Sequence, residues 1–211
     1  MTSHQEKLAW LLTVTLCLLF SAIDPVADRL TWFLETMPVM LAIPVLLLTH
    51  RRFPLTLISV RLIVLFALIL IIGGYYSYAE NPLFNWIQQE FGLARNHYDR
   101  LGHFVQGVVP AMLGRELLLR TSPLQPGKWL FFLLCCISLA ISAAYEFIEW
   151  WAAVINEQAA EAFLGTQGDN WDTQWDMFLA LCGSIISQLC LAKSQDRQLR
   201  VLGLRKQALA G

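Results

Sequence analysis

Six ionisable side chains of the kinds that bind metals or transfer protons stand in or beside long apolar segments of this chain. They are five carboxyl groups and one imidazole, at Asp99, His103, Glu146, Glu149, Asp172 and Asp176. An ionisable group inside a membrane helix costs about 2.5–3.5 kcal/mol on insertion scales, so it usually has a partner or a function. Their types and spacing are therefore the first guide to what the protein does.

These residues form three pairs, and the members of each pair lie three or four positions apart. The pairs are Asp99 and His103 in "NHYDRLGHFVQG", Glu146 and Glu149 in "YEFIEWW", and Asp172 and Asp176 in "GTQGDNWDTQWD". Residues at this spacing share one face of a helix. Gln106 continues the face of the first pair. The pattern predicts three helices that each present two polar groups to the same neighbour.

Each pair also has a structural explanation. Asp99 and Asp172 are suited to cap the start of a helix, where a carboxylate accepts backbone N–H groups and favours the helix dipole. His103 would then be an interfacial histidine with satisfied hydrogen bonds, and the two glutamates would be protonated carboxyls in packing contacts. Capping does not explain Asp176, which lies one turn further into its segment.

Six mostly apolar segments are long enough to carry these pairs in a membrane. The chain is 56% hydrophobic and 15% charged, against about 25% charged in an ordinary soluble domain. The segments cover about residues 8–22, 30–48, 62–78, 103–119, 129–153 and 177–192, and the second contains Glu35, Pro38 and Pro44. A membrane helix needs about 20 such residues. We predict an all-α, multi-pass membrane protein, in which residues 1–211 form one integral domain that ends in a basic tail over residues 193–211.

The positive charges predict the orientation of this domain. With six spans and the N-terminus inside, twelve of the fifteen lysines and arginines fall on the inner side, and only Arg29, Arg95 and Arg100 fall outside. Cytoplasmic loops carry such an excess, so both termini are expected in the cytoplasm. The fourth and sixth spans then begin at the outer surface and the fifth ends there. All six ionisable residues therefore come to one depth at the outer boundary.

Five carboxyls and an imidazole at one depth need neutralisation by protons, by Arg95 and Arg100, or by a divalent metal ion. Facing helices of a bundle commonly supply carboxylates and histidines to a metal. We therefore take all six residues as candidate metal ligands and a divalent metal as the candidate cofactor, with His103 and Glu146 as the candidate catalytic pair. The Glu-x-x-Glu spacing differs from the Glu-x-x-His of di-iron bundles, which disfavours iron.

Charge and cysteine content narrow the class of protein further. A formal net charge of −1 gives no indication of nucleic-acid binding, and the basic tail is typical of a segment that lies on anionic lipid. The cysteines all fall within the predicted spans, without zinc-type spacing, at Cys17, Cys135, Cys136, Cys182 and Cys190. We expect free thiols and the lipid bilayer as the main partner. The oligomeric state is left open.

Three stretches carry a resemblance to a known family. They are "NHYDRLGHFVQGVVPA", "YEFIEWWAA" and "GTQGDNWDTQWDM". Through them the chain resembles, over nearly its whole length, the YjdF-like family of bacterial inner-membrane proteins of unknown function. The resemblance implies a multi-pass protein of the bacterial inner membrane.

The second half is also similar, more loosely, to VanZ-like membrane proteins. Their Asp-Lys-x-x-His-Phe motif would correspond to residues 99–104, their Glu-x-x-Gln to residues 146–149, and the Asp and small residue of their last helix to Asp176 and Gly183. Glu149 stands in place of their Gln, and Ala180 in place of their Asn. This similarity implies a role at the cell surface.

Three functions fit these features. The first is a metal-assisted enzyme that acts on a lipid or lipid-linked substrate at the outer face, without covalent acyl chemistry because no Ser or Cys nucleophile stands next to His103. The second is a cation- or proton-coupled transporter, although the inner half offers only Glu116, which would pair with Arg120, and no inverted repeat is evident. The third is a structural or accessory membrane protein with a buried hydrogen-bond network.

Overall fold

The computed structural model describes residues 3–155 and 166–210, and every regular element within them is an α-helix. The helices in these two ranges are α1 (Ser3–Ser21), α2 (Arg29–Thr49), α3 (Leu57–Tyr76), α4 (Pro82–Phe91), α5 (Tyr98–Thr121), α6 (Lys128–Ile155) and α7 (Asp172–Ala210). The expectation of an all-α protein is confirmed.

Four of the helices are long and apolar enough to cross a membrane, namely α2, α3, α6 and the part of α7 over Asp172–Gly203. α5 is also long enough, but its hydropathy is lowered by polar residues such as His103, Arg115 and Glu116. The number of six spans and the cytoplasmic position of both termini therefore stay predictions, as does the single membrane domain over residues 1–211.

α4 is a short amphipathic helix that hydropathy alone does not predict. Asn81 caps it, Pro82 occupies its first position, and Gly92 ends it with a φ of 60°, a left-handed conformation that favours glycine. None of its residues is buried, and its large apolar side chains Leu83 and Trp86 are exposed. These features are typical of a helix that lies at the membrane surface.

α5 packs against α3, α6 and α7, and its contact with α7 is a close backbone approach. A Cβ atom on Gly107 would overlap the carbonyl oxygen of Ala180, and one on Gly183 would overlap that of Phe104. Only glycine permits this approach, as in other membrane helix pairs with small residues at the crossing. The two backbones therefore fix the register in which α5 and α7 present their polar side chains.

Four helices, α1, α3, α5 and α7, begin about five residues before the segments expected from hydropathy, and two of them carry predicted site residues. α5 begins at Tyr98 rather than near residue 103, so Asp99 and His103 both stand within it. α7 begins at Asp172 rather than near residue 177, and it continues to Ala210 through the basic tail. Hydropathy does not predict the added helical turns of α5 and α7 because their residues are polar. Contacts with neighbouring elements hold these turns in place.

Candidate functional site

Three neighbouring helices bring the six predicted site residues to one end of the bundle. α5 supplies Asp99 and His103, α6 supplies Glu146 and Glu149, and α7 supplies Asp172 and Asp176. Each is buried, with 2–8% of its surface exposed. Because α5, α6 and α7 all contact one another, the three pairs can meet.

His103 lies at the centre of this end of the bundle. We call Asp99, His103, Glu146 and Asp176 the His103 cluster. His103 Nε2 lies 3.4 Å from Asp99 Oδ1, and His103 Nδ1 lies 3.7 Å from Glu146 Oε1. Asp99, His103 and Asp176 each offer one ligand atom, and these atoms all lie within 4.8 Å of one another. Side chains from three helices therefore surround one imidazole.

Several buried polar atoms in and beside the His103 cluster have no hydrogen-bond partner among the described residues. They are His103 Nδ1, Glu146 Oε1, Asp176 Oδ1, Gln106 Oε1 and Ser142 Oγ. Leaving one buried polar group unpaired costs about 1–3 kcal/mol, so native proteins rarely collect such groups in one place. Their concentration here is typical of a site that receives a ligand.

Asp172 pairs with an arginine rather than with His103. Arg95 forms an ion pair with Asp172 and has its Nη2 3.9 Å from Asp99 Oδ2. Arg100 Nη2 lies 2.7 Å from Asp169 Oδ2. We call Arg95, Arg100, Asp169 and Asp172 the arginine rim. It covers the side of the His103 cluster from which α7 starts, and a metal-binding role for Asp172 stays a prediction.

Glu149 and one unpredicted residue, Glu35, complete the acidic surroundings. Glu149 interacts electrostatically with His103 but lies outside the group of three close ligand atoms. Glu35 of α2 is 5% exposed, accepts a hydrogen bond from the Tyr145 hydroxyl at 3.4 Å, and interacts electrostatically with Asp99 and His103. A glutamate inside an apolar span is a signal that could have identified it.

The loop before α7 is fastened to the start of α5. Asn96 N–H donates to Gln167 Oε1 at 2.8 Å, and Gln167 Nε2 donates to the Asn96 carbonyl at 3.0 Å. Gln167 and Gly168 then turn the chain with φ angles of 47° and 83°. This turn positions Asp169 for its contact with Arg100.

His97, just before α5, differs from His103 in its surroundings. Partial burial and the charges of Arg100 and Arg95 lower the pKa of the His97 imidazole, so it is neutral at neutral pH. His97 therefore adds no positive charge to that of Arg95 and Arg100 beside it. Arg100 also lies over the ring of Trp175, 5.3 Å from its centroid.

A second buried polar cluster lies towards the other end of α5. It comprises Thr56, Ser59, Glu116, Arg120 and Gln195, and we call it the Glu116 cluster. Glu116 is fully buried and accepts hydrogen bonds from Thr56 N–H at 2.9 Å, from Ser59 Oγ at 2.7 Å and from Arg120 Nη1 at 2.8 Å. Gln195 of α7 donates to Ser59 Oγ at 3.1 Å. In the described structure no buried side-chain atom of this cluster lacks a partner.

Comparison with known proteins places the chain in a family. Residues 6–197 match the family described as "Predicted membrane protein (DUF2238)". The chain belongs to this family. It is 51% identical over 193 residues, and 92% of each chain, to the inner membrane protein YjdF of Escherichia coli (strain K12). No solved structure matches it.

Membership of this family confirms the expected location. The chain is an inner-membrane protein of the YjdF-like kind, and the matched residues include Glu35 and all six predicted site residues. The description of the family and the name of the relative state a location and no activity. The looser similarity to VanZ-like proteins stays a prediction.

Proposed function

We propose that the His103 cluster binds a divalent metal ion, and that the protein is a metal-assisted enzyme acting on a lipid or lipid-linked envelope substrate at the outer face of the inner membrane. One observation carries this proposal. Asp99, His103 and Asp176 place one ligand atom each within 4.8 Å of the others in a buried site. His103 and Asp176 each keep a polar atom without a hydrogen-bond partner in the part of the chain that the structure describes.

The spacing and the chemistry of the ligand atoms limit which divalent ion the site can hold. Two ligand atoms on one ion are separated by at most twice the bond length, about 4.2 Å for Mg²⁺ and about 5 Å for Ca²⁺. A spread of up to 4.8 Å therefore fits calcium directly, and smaller ions after a shift of a few tenths of an ångström. Calcium takes oxygen ligands, whereas His103 offers an imidazole, which favours zinc, and the carboxylates suit manganese; we therefore expect zinc or manganese.

Glu146 is suited to act as the general base in such an enzyme. Its Oε1 faces His103 Nδ1 at 3.7 Å and has no hydrogen-bond partner among the described residues. A metal ion held by Asp99, His103 and Asp176 would supply Lewis-acid activation of a water molecule, and Glu146 Oε1 would accept the proton that this water loses. Glu146 would then return that proton to the leaving group of the phosphoryl or acyl centre, so that the hydrolysis balances.

The arginine rim is suited to hold an anionic substrate group. Arg100 pairs with Asp169, whose side chain is 25% exposed, so a phosphate that approaches from the membrane surface would compete with Asp169 for this arginine. Trp150 and Trp175 are both exposed near this end of the bundle. Exposed tryptophans of membrane proteins usually lie at the headgroup level, where a lipid-linked substrate presents its polar part.

Transport has less support from the described residues. A cation path needs polar groups through the depth of the membrane. Along α5, Ala111 and Met112 are fully buried apolar residues between His103 and Glu116, and Gly107 is in backbone contact with α7.

The structural alternative, a hydrogen-bond network without a ligand, has one observation in its favour, because the charged residues of the arginine rim already pair with one another.

The metal content of the purified protein tests the proposal. Protein in neutral detergent is stripped of metal, incubated with zinc or manganese, desalted and analysed by elemental mass spectrometry. We expect the wild type to retain a stoichiometric ion and both His103→Ala and Asp176→Asn to lose it. Asp24→Asn is the matched control, because Asp24 is an exposed aspartate in the α1–α2 connection.

Two results would contradict the metal site. A folded wild type that binds neither ion would favour the structural network, and so would retention of the ion by both cluster variants.

The enzymatic part has its own test with Glu146→Gln. This variant should keep the ion but lose any metal-dependent change that the wild type produces in an envelope lipid extract, as followed by lipid mass spectrometry. If the metal-loaded wild type changes no lipid, the enzymatic part is wrong.

A further inference from the structure

A separate cavity lies at the end of the bundle opposite the His103 cluster. It has a volume of about 620 Å³ and is bounded by the end of α5, the α2–α3 and α5–α6 connections and the later part of α7. This volume is within the range of about 300–1,000 Å³ that is usual for small-molecule sites. None of the proposed metal ligands contributes to it.

One wall of this cavity carries a fixed arginine. Arg120 Nη1 donates to the Pro54 carbonyl and to Glu116 Oε1, both at 2.8 Å, and its guanidinium lies 3.5 Å from the centroid of the Phe53 ring. Among the described residues its hydrogen bonds both use Nη1, so Nη2 and Nε remain available as donors. An arginine held in this way presents its remaining donors in a fixed direction.

The cavity has an excess of positive charge. Glu116 compensates Arg120, and Asp196 is paired with Arg115 Nη1 at 2.8 Å. Arg200 is exposed and has no ion pair or hydrogen bond within the described residues. One uncompensated guanidinium therefore faces the cavity, next to the free donors of Arg120.

The remaining wall of the cavity is apolar, and we expect it to lie at the boundary between the membrane interior and the lipid headgroups. Leu119, Leu199 and Leu202 contribute it. α7 has 39 residues, which gives a length of about 58 Å, against a hydrocarbon core of about 30 Å. Its later turns must therefore pass through the headgroup region. Positive-inside counting assigns this end to the cytoplasmic leaflet, whose lipids are anionic.

We propose that this cavity binds the phosphate-bearing headgroup of an anionic phospholipid from the inner leaflet. Arg120 and Arg200 donate to the phosphate, and the first carbons of the acyl chains lie against the three leucines. Charge complementarity and the combination of apolar and cationic walls select this class of ligand over a zwitterionic lipid. The site is independent of the proposed metal centre.

Thermal unfolding of the full-length protein in neutral detergent tests this site. Delipidated protein is titrated with short-chain phosphatidylglycerol, with phosphatidylcholine of the same chain length, or with inorganic phosphate. We expect phosphatidylglycerol to raise the unfolding temperature with saturation, and Arg200→Gln to weaken its binding by about tenfold, as for the loss of one charge-assisted hydrogen bond. Arg197→Gln is the matched control, since Arg197 is exposed on the same helix but does not line the cavity.

Each other outcome overturns the proposal in a specific way. Equal stabilisation by phosphatidylcholine would show that charge does not select the ligand. Equal stabilisation by inorganic phosphate, lost in Arg200→Gln, would identify a free anion rather than a lipid. Equal affinity of Arg200→Gln and Arg197→Gln for phosphatidylglycerol would place lipid binding elsewhere.

Discussion

α5 and α7 connect two buried polar clusters of opposite character. In the Glu116 cluster, one carboxylate accepts hydrogen bonds from Thr56, Ser59 and Arg120, and its buried side-chain atoms in the described structure are all paired. In the His103 cluster, three carboxyls surround one imidazole, and atoms of His103, Glu146 and Asp176 lack partners among the described residues. Both clusters are less than 10% exposed at their acidic residues.

The difference teaches that hydrogen-bond satisfaction, rather than burial, separates a structural network from a candidate site. A buried carboxylate whose acceptors are all used stabilises the fold, and losing it leaves its donors unpaired. A buried carboxyl with a free oxygen destabilises the fold unless something binds there. Stability is commonly lower where a protein keeps a site for function, and the three predictions that follow test this contrast.

The largest expected effect is that of Glu116→Gln. In either orientation, the side-chain amide of glutamine places an NH₂ donor where a carboxylate oxygen accepts hydrogen bonds in the wild type. The substitution also leaves Arg120 without its counter-charge. Breaking a buried ion pair in this way costs about 3–5 kcal/mol. We expect a large fall in the unfolding temperature, measured in detergent by tryptophan fluorescence, or a loss of folded protein.

The matched change in the other cluster is Asp176→Asn, which also replaces a carboxyl by an amide. Asp176 Oδ1 has no partner in the described structure, so this variant should be as stable as the metal-free wild type or more stable. If Asp176→Asn destabilises the metal-free protein as much as Glu116→Gln does, the contrast between the clusters is wrong.

An intermediate effect is expected at Gly107, where α5 crosses α7 between the clusters. A methyl group there overlaps the backbone of Ala180, so Gly107→Ala must push the helices apart, at a cost of about 1–3 kcal/mol. The shift also moves His103 away from Asp176 and should weaken metal binding. Unfolding temperature and metal content measure the two consequences.

Gly203→Ala is the control for this prediction. A Cβ on Gly203 would meet nothing within 4 Å, and alanine favours a helix over glycine, so stability should be unchanged or slightly raised. Normal stability of Gly107→Ala would show that the crossing is looser than the structure has it.

The sequence predicts which residues meet in the His103 cluster. Two features are sufficient for this prediction, namely the helical spacing of the polar residues and the uneven distribution of lysine and arginine along the chain. Spacing places Asp99 and His103 on one helix face, and the orientation expected from the distribution of lysine and arginine predicts that they lie at the depth of Glu146 and Asp176. The expected i, i+4 pair of Glu116 and Arg120 is also present. These features depend on helical geometry and on the membrane, both of which are regular.

Other features depend on contacts that no local pattern encodes. Arg95 reaches Asp172 only because the loop with Gln167 is fastened to Asn96. Glu35 joins the acidic surroundings because α2 packs where Tyr145 can donate to it. Each of these pairs is separated by more than 70 positions in the chain, so tertiary packing had to be known first.

The smallest expected effect is electrostatic and concerns Arg100 in the arginine rim. Arg100→Gln removes a positive charge near the His103 cluster and leaves Asp169 with only the longer ion pair to Arg95 at 3.6 Å, so both changes favour a bound dication. One unit charge acting on a dication at about 10 Å in a largely aqueous medium corresponds to about 1 kcal/mol, or roughly a fivefold tighter affinity at low salt. The measurement is the dissociation constant for zinc or manganese in low salt and in about 0.5 M salt. At the higher salt concentration, screening should abolish most of the gain in metal affinity.

Arg29→Gln provides the reference for this charge effect, since Arg29 is an exposed arginine that donates to the Ala22 carbonyl and contacts none of the cluster residues. It should change the affinity less than Arg100→Gln does. The Glu116 cluster should not respond to Arg100 at all, because its charges are compensated locally. An unchanged or weaker metal affinity in Arg100→Gln would mean that the positive charge of the arginine rim does not oppose metal binding in the His103 cluster. The two clusters would then differ in hydrogen bonding but not in their electrostatic response.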